Sequence, residues 1–370
     1  RFVRLQGSRA ARARYTGTSG EMMEPEQYER YSRQILFAPL GEEGQKRLVE
    51  SRAVVVGCGA LGTVLAGLLV RAGVGRLRLV DRDFVELSNL QRQTLFEEGD
   101  ARDALPKAVA AERRLRAMNS SVAVEGMVAD LTPENAADLL GGFPLILDGT
   151  DNFETRMLMN DFAVSAGVPW IYAAAVGSYG VTFSVRPGET ACLACLVEPP
   201  AEGNGAARAL PPEETCETAG VLNTAAGVVG ALEAAEAVKI LSGHSEALSG
   251  RLVSCDVWKG EFRSIRVARE PGCRACGRRD FRWLEGEAQP QVTLCGRDSV
   301  QIHERRRKLD LEELARRIAA VAGGVRTNGF LLRFAAAGCE VTVFPDGRAV
   351  FKGTKDPAVA RSLYARYIGA

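Results

Sequence analysis

The chain has 370 residues, with 47 Lys and Arg against 46 Asp and Glu, a formal net charge of +1, and 46% hydrophobic and 25% charged residues. That length exceeds what one compact core usually fills, so two domains are expected, and the balanced charge excludes the basic footprint of a nucleic-acid-binding surface. Only two histidines occur, His244 and His303, neither in a motif, which disfavours a histidine base or a histidine metal site.

Residues 1–24 carry Arg1, Arg4, Arg9, Arg12 and Arg14 with no acid before Glu21. They lack the apolar core of a signal peptide and read as a disordered tail or a mis-called start ahead of Met22-Met23. Two helices are expected at 25–35 and 42–50. Strand and helix patterns then alternate: strand 52–56, helix 60–72, strand 76–81, helix 105–117, strand 122–128, helix 133–140, strand 144–148, helix 154–166 and strand 169–174. This alternation predicts a doubly wound, mostly parallel Rossmann-like α/β sheet. Its ligand should lie beyond the carboxyl ends of the strands. From Ser178 onward the segments look antiparallel, an extension of the sheet. A Pro-, Gly- and Glu-rich stretch from Glu198 to Glu214 reads as a loop, and helix 223–241 follows. That helix holds Glu233, Glu236 and Lys239, which argues against a membrane span. Beyond residue 285 a small α+β unit is expected, with strands near 292–295, 299–302, 328–335, 338–344 and 348–351 and helices 310–322 and 356–366. Asp346-Gly347 signals a hairpin within it. The predicted division is a tail to residue 24, a main domain 25–284 and a C-terminal domain 285–370.

Three motifs carry chemistry. The loop Gly57-Cys58-Gly59-Ala60-Leu61-Gly62 sits between strand and helix patterns, so Gly57, Gly59 and Gly62 would let backbone N–H groups and a helix N-terminus approach a phosphate. Asp81 stands 19 residues after the last of these glycines, well placed for a ribose hydroxyl, with Asp83 capping or contacting beside it. Those residues alone also permit an NAD-dependent oxidoreductase. Asn89, Arg92 and Lys107 are what such an enzyme leaves unexplained, because polar and cationic groups suit triphosphate oxygens and charge growing on a transferring phosphorus. Of nine cysteines, four form Cys192-x-x-Cys195 and Cys273-x-x-Cys276, 77 residues apart. Four thiolates close a tetrahedral structural zinc site with no open position for chemistry. In small zinc peptides such a site contributes about 10–16 kcal/mol, and less is expected in a domain of this size. A chain with reduced thiols of this kind is expected in the cytoplasm.

The run from Val80 to Gln93, together with Arg30-Tyr31-Ser32-Arg33-Gln34-Ile35, Asp148-Gly149-Thr150-Asp151-Asn152 and the two cysteine pairs, resembles the MoeB/ThiF adenylyltransferases, relatives of the ubiquitin-activating enzymes. The likeness covers about two-thirds of the chain, and the longer thiazole-synthesis ThiF type looks nearest. The resemblance implies ATP-dependent adenylation of the terminal glycine carboxylate of a ubiquitin-like sulfur carrier, ThiS- or MoaD-like, for thiamine thiazole or molybdenum cofactor synthesis. It places Asn89, Arg92 and Lys107 on the triphosphate and Asp151 on Mg²⁺. Arg33 would be donated across a homodimer interface, and Cys216 falls where relatives carry a cysteine that joins covalently to the carrier. With no rhodanese domain attached, sulfur would come from a separate donor protein. A tRNA-carboxylate-adenylating dehydratase is a rival within the superfamily, disfavoured by the neutral charge.

Overall fold

The computed structural model describes residues 23–198, 219–287, 299–302 and 308–369. The expected tail up to residue 22, the loop from 199 to 214, Cys216 and the strand near 292–295 lie outside the described residues.

Two helices, α1 (Pro25–Ile35) and α2 (Gly41–Glu50), lead into β1 (Arg52–Val56), α3 (Ala60–Ala72) and β2 (Arg76–Asp81). After these come α4 (Glu98–Arg102), α5 (Lys107–Met118), β3 (Ala123–Val128), α6 (Ala136–Leu140), β4 (Ile146–Asp148), α7 (Phe153–Ala166) and β5 (Trp170–Val176). Strands β6 (Tyr179–Val185), helix α8 (Leu193–Val197), helix α9 (Asn223–Leu241), β7 (Leu252–Asp256) and β8 (Glu261–Ile265) complete this part. One eight-stranded sheet runs in the order β3-β2-β1-β4-β5-β6-β7-β8. Its first five strands pair in parallel and the last three add antiparallel. The expected antiparallel extension is therefore present.

The parallel part is buried on both faces, as crossover helices require. Val54, Val56 and Ile146 face one core with Phe162 and Trp170. Val55, Leu79 and Leu147 face the other with Leu65, Leu69 and Leu115. In register, Val56 pairs with Val80 on one side and Asp148 on the other, so β1, β2 and β4 end level with one another. Their exits make one rim.

A second, antiparallel sheet follows. It comprises β9 (Ser299–Ile302), β10 (Gly323–Thr327), β11 (Leu332–Ala336), β12 (Cys339–Val343) and β13 (Ala349–Lys352), with helices α10 (Leu311–Ile318) and α11 (Pro357–Tyr367). The order is β10-β11-β12-β13-β9, around a core of its own that includes Phe334, Val341, Phe351, Leu314 and Tyr364. The Asp346-Gly347 hairpin forms as expected. Gly347 takes φ 87, and Asp346 Oδ1 accepts from the Arg348 N–H at 3.1 Å.

The rim depends on glycine. Gly57 has φ 93, and a Cβ there would stand 2.5 Å from the Gly149 carbonyl carbon. A Cβ on Gly62 would stand 1.9 Å from the Gly57 oxygen. Gly62→Ala should thus cost at least about 2 kcal/mol of stability, read as a lowered urea midpoint with an unchanged slope.

Candidate active site

Helix α3 begins directly after the glycine loop with Gly59 as its N-cap, and no side chain caps it. Its first N–H groups stay open to an incoming acceptor. A Cβ on Gly59 would meet only the Gly149 oxygen at an ordinary 3.5 Å. Packing does not demand glycine there. What the missing side chain leaves clear is the approach to the helix end.

Asp81 closes β2 and is 8% exposed. Its Oδ2 accepts from the Cys58 N–H at 2.6 Å and its Oδ1 from the Asp83 N–H at 2.7 Å. One carboxylate so ties the glycine loop to the chain leaving β2. This shifts the expected emphasis between the two acids. Both Asp81 oxygens already have donors, whereas the Asp83 side chain is 57% exposed and is the freer acceptor for a ligand hydroxyl.

Residues 83–85 and 105–107 pair as a short zipper, with Val85 N–H donating to Leu105 O at 2.8 Å and Lys107 N–H to Asp83 O at 2.8 Å. The zipper aims Lys107, the first residue of α5, at Asp83. Lys107 Nζ lies 3.1 Å from Asp83 Oδ2, and Lys107 is only 7% exposed. Burial pulls its ammonium down, but the charges of Asp83, Asp81 and Asp151 outweigh that and hold it above the ordinary lysine value. Loss of solvation pushes the Asp83 carboxyl up, and Lys107, Arg82 and Arg348 more than reverse it, to well below the usual range. Both groups stay charged at neutral pH. Arg82 itself donates from Nη1 to both Asp130 oxygens, at 3.2 and 3.0 Å.

Across the rim, the loop after β4 is built on Asp148, which is fully buried. It accepts from the Thr150 N–H and hydroxyl at 2.9 and 2.7 Å and from Arg156 Nε at 2.9 Å. Glu233 of α9 accepts from the Asp148 N–H at 3.0 Å. Burial first, and the Asp148 charge second, raise Glu233 well above the usual carboxylate range. Asn152 caps α7 by accepting from Thr155 N–H at 2.8 Å. Between these fixed points Asp151 is exposed, and its charge reaches Lys107, Arg82 and Arg156.

Away from the rim, the Sγ atoms of Cys192, Cys195, Cys273 and Cys276 lie within 4.8 Å of one another. Three of their separations are 3.9, 3.6 and 3.4 Å, close to the roughly 3.8 Å edge of a tetrahedron with 2.3 Å metal–sulfur bonds. The knuckles are held from α7. Asn160 accepts from Leu193 N–H at 2.8 Å, and Asp161 receives Arg274 in a two-pronged pair at 2.9 and 3.1 Å. The donor set and its spacing fit a four-thiolate metal.

The ThiF family description matches residues 31–275, which is more than half the chain and includes the whole rim. The chain belongs to the ThiF family. It is 45% identical over 344 residues to the sulfur carrier protein ThiS adenylyltransferase of Bacillus subtilis (strain 168), covering 92% of this chain and 99% of that one. It is 42% identical over 258 residues to a sulfur carrier protein adenylyltransferase of Thermus thermophilus, covering 68% and 92%. Among solved structures, Escherichia coli MccB with ATP aligns over 68% of this chain and 76% of that chain, at 25% identity and TM-score 0.57. ThiF membership decides the choice left open by the glycine loop, for adenylyl transfer and against nicotinamide redox chemistry.

Not every anticipated residue of this ThiF-family site meets the others directly. Asn89 is 1% exposed, and its Oδ1 accepts from Glu86 N–H at 3.1 Å, so its oxygen shapes the 86–89 turn. Arg92 donates to the Ser88 carbonyl at 2.8 Å and makes no ion pair among the described residues. Arg33 is exposed on α1 beside Leu36 and Phe37, themselves 71% and 63% exposed. Cys216 lies outside the described residues. Sequence reasoning passed over Arg156, the one cation on a helix that also carries Glu154 and Asp161. It likewise passed over Arg82, whose partner Asp130 lies 48 residues on.

Two outcomes follow from this geometry. Asp81→Asn should lose about 2–3 kcal/mol in chemical denaturation, because an amide nitrogen would face one of the two N–H donors. Cys273→Ser should lower the bound metal to well below one per chain by elemental analysis, and lower the melting temperature, since the remaining thiolates no longer close the shell.

Proposed function

We propose that the rim binds ATP and adenylates the C-terminal glycine carboxylate of a ubiquitin-like sulfur carrier protein. The observation that carries this reading is the charged pair of buried Lys107 and open Asp83, with Asp151 near enough for its charge to act on Lys107, beside the uncapped N-terminus of α3. A carboxylate oxygen of the carrier attacks the α-phosphorus, the bond to the bridging oxygen breaks, and pyrophosphate leaves with its electron pair, giving an acyl adenylate. The nucleophile is already an anion, so no general base is needed. That suits a rim built from cations, carboxylates and backbone N–H groups.

In this reading the α3 N–H groups cradle phosphate oxygens and Asp83, with Asp81 behind it, holds the ribose. Lys107 and Arg92 neutralise the triphosphate as charge moves toward the leaving group. Asp151, exposed and acceptor-only, would hold Mg²⁺, which when bound offsets the charge on pyrophosphate. Arg33 would complete the site from a second copy, which makes a homodimer the working unit, and exposed Leu36 and Phe37 beside it suit such a contact. Cys192, Cys195, Cys273 and Cys276 would hold a structural Zn²⁺. Residues 25–284 then form the adenylating domain and 285–370 an appended one. Cys216 is proposed to take the activated carrier covalently, with sulfur arriving from a separate donor protein. The similarity to the Bacillus subtilis ThiS adenylyltransferase along 92% of the chain favours a ThiS-like carrier and thiamine thiazole synthesis over a MoaD-like one. A cytoplasmic setting, which keeps thiols reduced, suits the free cysteines.

The test is carrier-dependent exchange of labelled pyrophosphate into ATP. With a carrier ending in Gly-Gly the chain should catalyse exchange, and Lys107→Ala and Asp151→Ala should each lower it about 10²–10³-fold. Exchange that proceeds unchanged in both variants would remove the cleft from the reaction.

A further inference from the structure

The second sheet docks against the two chain segments that set the cleft. Asn328 donates to the carbonyls of Asp103 and Ala104 at 2.9 and 3.1 Å, at the foot of the zipper that carries Lys107. Gln301 of β9 donates to Asp130 Oδ2 at 3.0 Å, the same carboxylate that holds Arg82. Arg333 of β11 lies over the Phe84 ring, 4.4 Å from its centroid, one residue from Asp83. The seam is therefore built on the residues either side of the ion pair and not on a remote face.

Two arginines at this seam are incompletely satisfied. Arg348 is fully buried. Its Nε donates to Asp346 Oδ2 at 3.0 Å and its guanidinium stacks 4.3 Å from the Phe344 ring centroid, yet neither Nη1 nor Nη2 has a hydrogen-bond partner. Arg333 likewise has Nε and Nη2 buried without a hydrogen bond, its Nε being 3.9 Å from Glu340 Oε1, too far for one. The hairpin that presents Arg348 is held by Tyr364, whose hydroxyl donates to Gly347 O at 2.7 Å. A buried guanidinium with unpaired donors is costly unless something anionic completes it. Arg348 stands two residues before Val350, which lies in the cross-sheet row Arg333–Thr342–Val350–Gln301, so it shares the face of the sheet that meets Phe84 and Asp130, and its charge is felt by the Asp83 carboxyl.

We propose that the C-terminal sheet completes an anion site at the edge of the cleft, in which the free Nη1 and Nη2 groups of Arg348, supported by Arg333, bind a phosphate group of the nucleotide or of the pyrophosphate product. The idea rests on the reading that the cleft holds ATP. It gives residues 299–369 a part in nucleotide binding within the same chain, and guanidinium forks suit phosphate oxygens.

The test uses the full-length chain, with ATP and with inorganic pyrophosphate as separate probes in titration calorimetry and thermal melts. Arg348→Gln should weaken binding of at least one probe about tenfold. It should also shrink the rise in melting temperature on adding that probe, whatever the loss of the Arg348–Asp346 pair does to the ligand-free value. Whichever probe is weakened identifies whether nucleotide or product is held. Arg333→Gln, at a partly exposed position, should weaken the same probe less and guards against misfolding of the first variant. Affinities for both probes within twofold of the parent in both variants would overturn the proposal. So would a fall in the ligand-free melting temperature with an unchanged ligand-induced rise, which would mark Arg348 as a cross-seam partner of Asp83 only. Lys107→Ala separates this from the larger reading. If the parent binds neither probe, the ATP reading itself fails, whereas binding lost in Lys107→Ala but kept in Arg348→Gln sinks only the seam site.

Discussion

The backbones leaving β1, entering α3 and leaving β4 touch one another at Gly57, Gly62 and Gly149 with no space for a side chain. A Cβ on Gly149 would lie 2.2 Å from the Gly57 oxygen, and Gly149 N–H donates to Val56 O at 2.7 Å. This three-way backbone contact sets the depth of the rim. It brings the open end of α3 down to the level of the loop that carries Asp151, and Asp81 then pins the third strand exit to the same floor through two backbone N–H groups. Without that closeness Lys107 and Asp151 would be separate surface charges, screened by water and worth little to each other.

On this floor the charges are arranged in two tiers. Those below the surface are paired to satisfy the fold: Asp148 with Arg156, backed by Glu233, and, beneath the thiolate cluster, Asp161 with Arg274. Removing one member of such a pair would strand the other in a medium that cannot solvate it, so they act as fixed struts. Those at the surface, Asp83 and Asp151, keep accessible oxygens, and Lys107 lies between the tiers with its ammonium held charged. The division matches the demands of phosphoryl chemistry, which needs preset charge more than it needs a proton acceptor. The four cysteines are clamped to the same α7 that starts beside Asp151, so the thiol cluster and the loop after β4 share one rigid element.

Much of this was readable in the linear chain because the relevant signals are local. The alternation from residue 52 to 174 gave the parallel sheet, the strand ends gave the rim, and Asp346-Gly347 gave its hairpin. Short elements were the hardest: α4 and α8, five residues each, have too few turns for a helical period to stand out and escaped, and the equally short α6 was found but drawn too long. Strand β10, with two glycines in its five residues, lacked the β-branched alternation that marks a strand.

The candidate residues were legible in the amino-acid order: the glycines and Asp81 through strand–turn–helix spacing, the four thiols as two Cys-x-x-Cys pairs, and Lys107 and Asp151 through the family resemblance. Their division of labour was not. That Asp81 is spent on backbone N–H groups while Asp83 stays open, that Asn89 turns its oxygen inward, and that Arg348 arrives beside a carboxylate 265 positions earlier in the chain all follow from packing between segments with no fixed separation along it. Hydrogen-bond donors and water compete for each carboxylate, and only the folded surroundings say which of them is within reach.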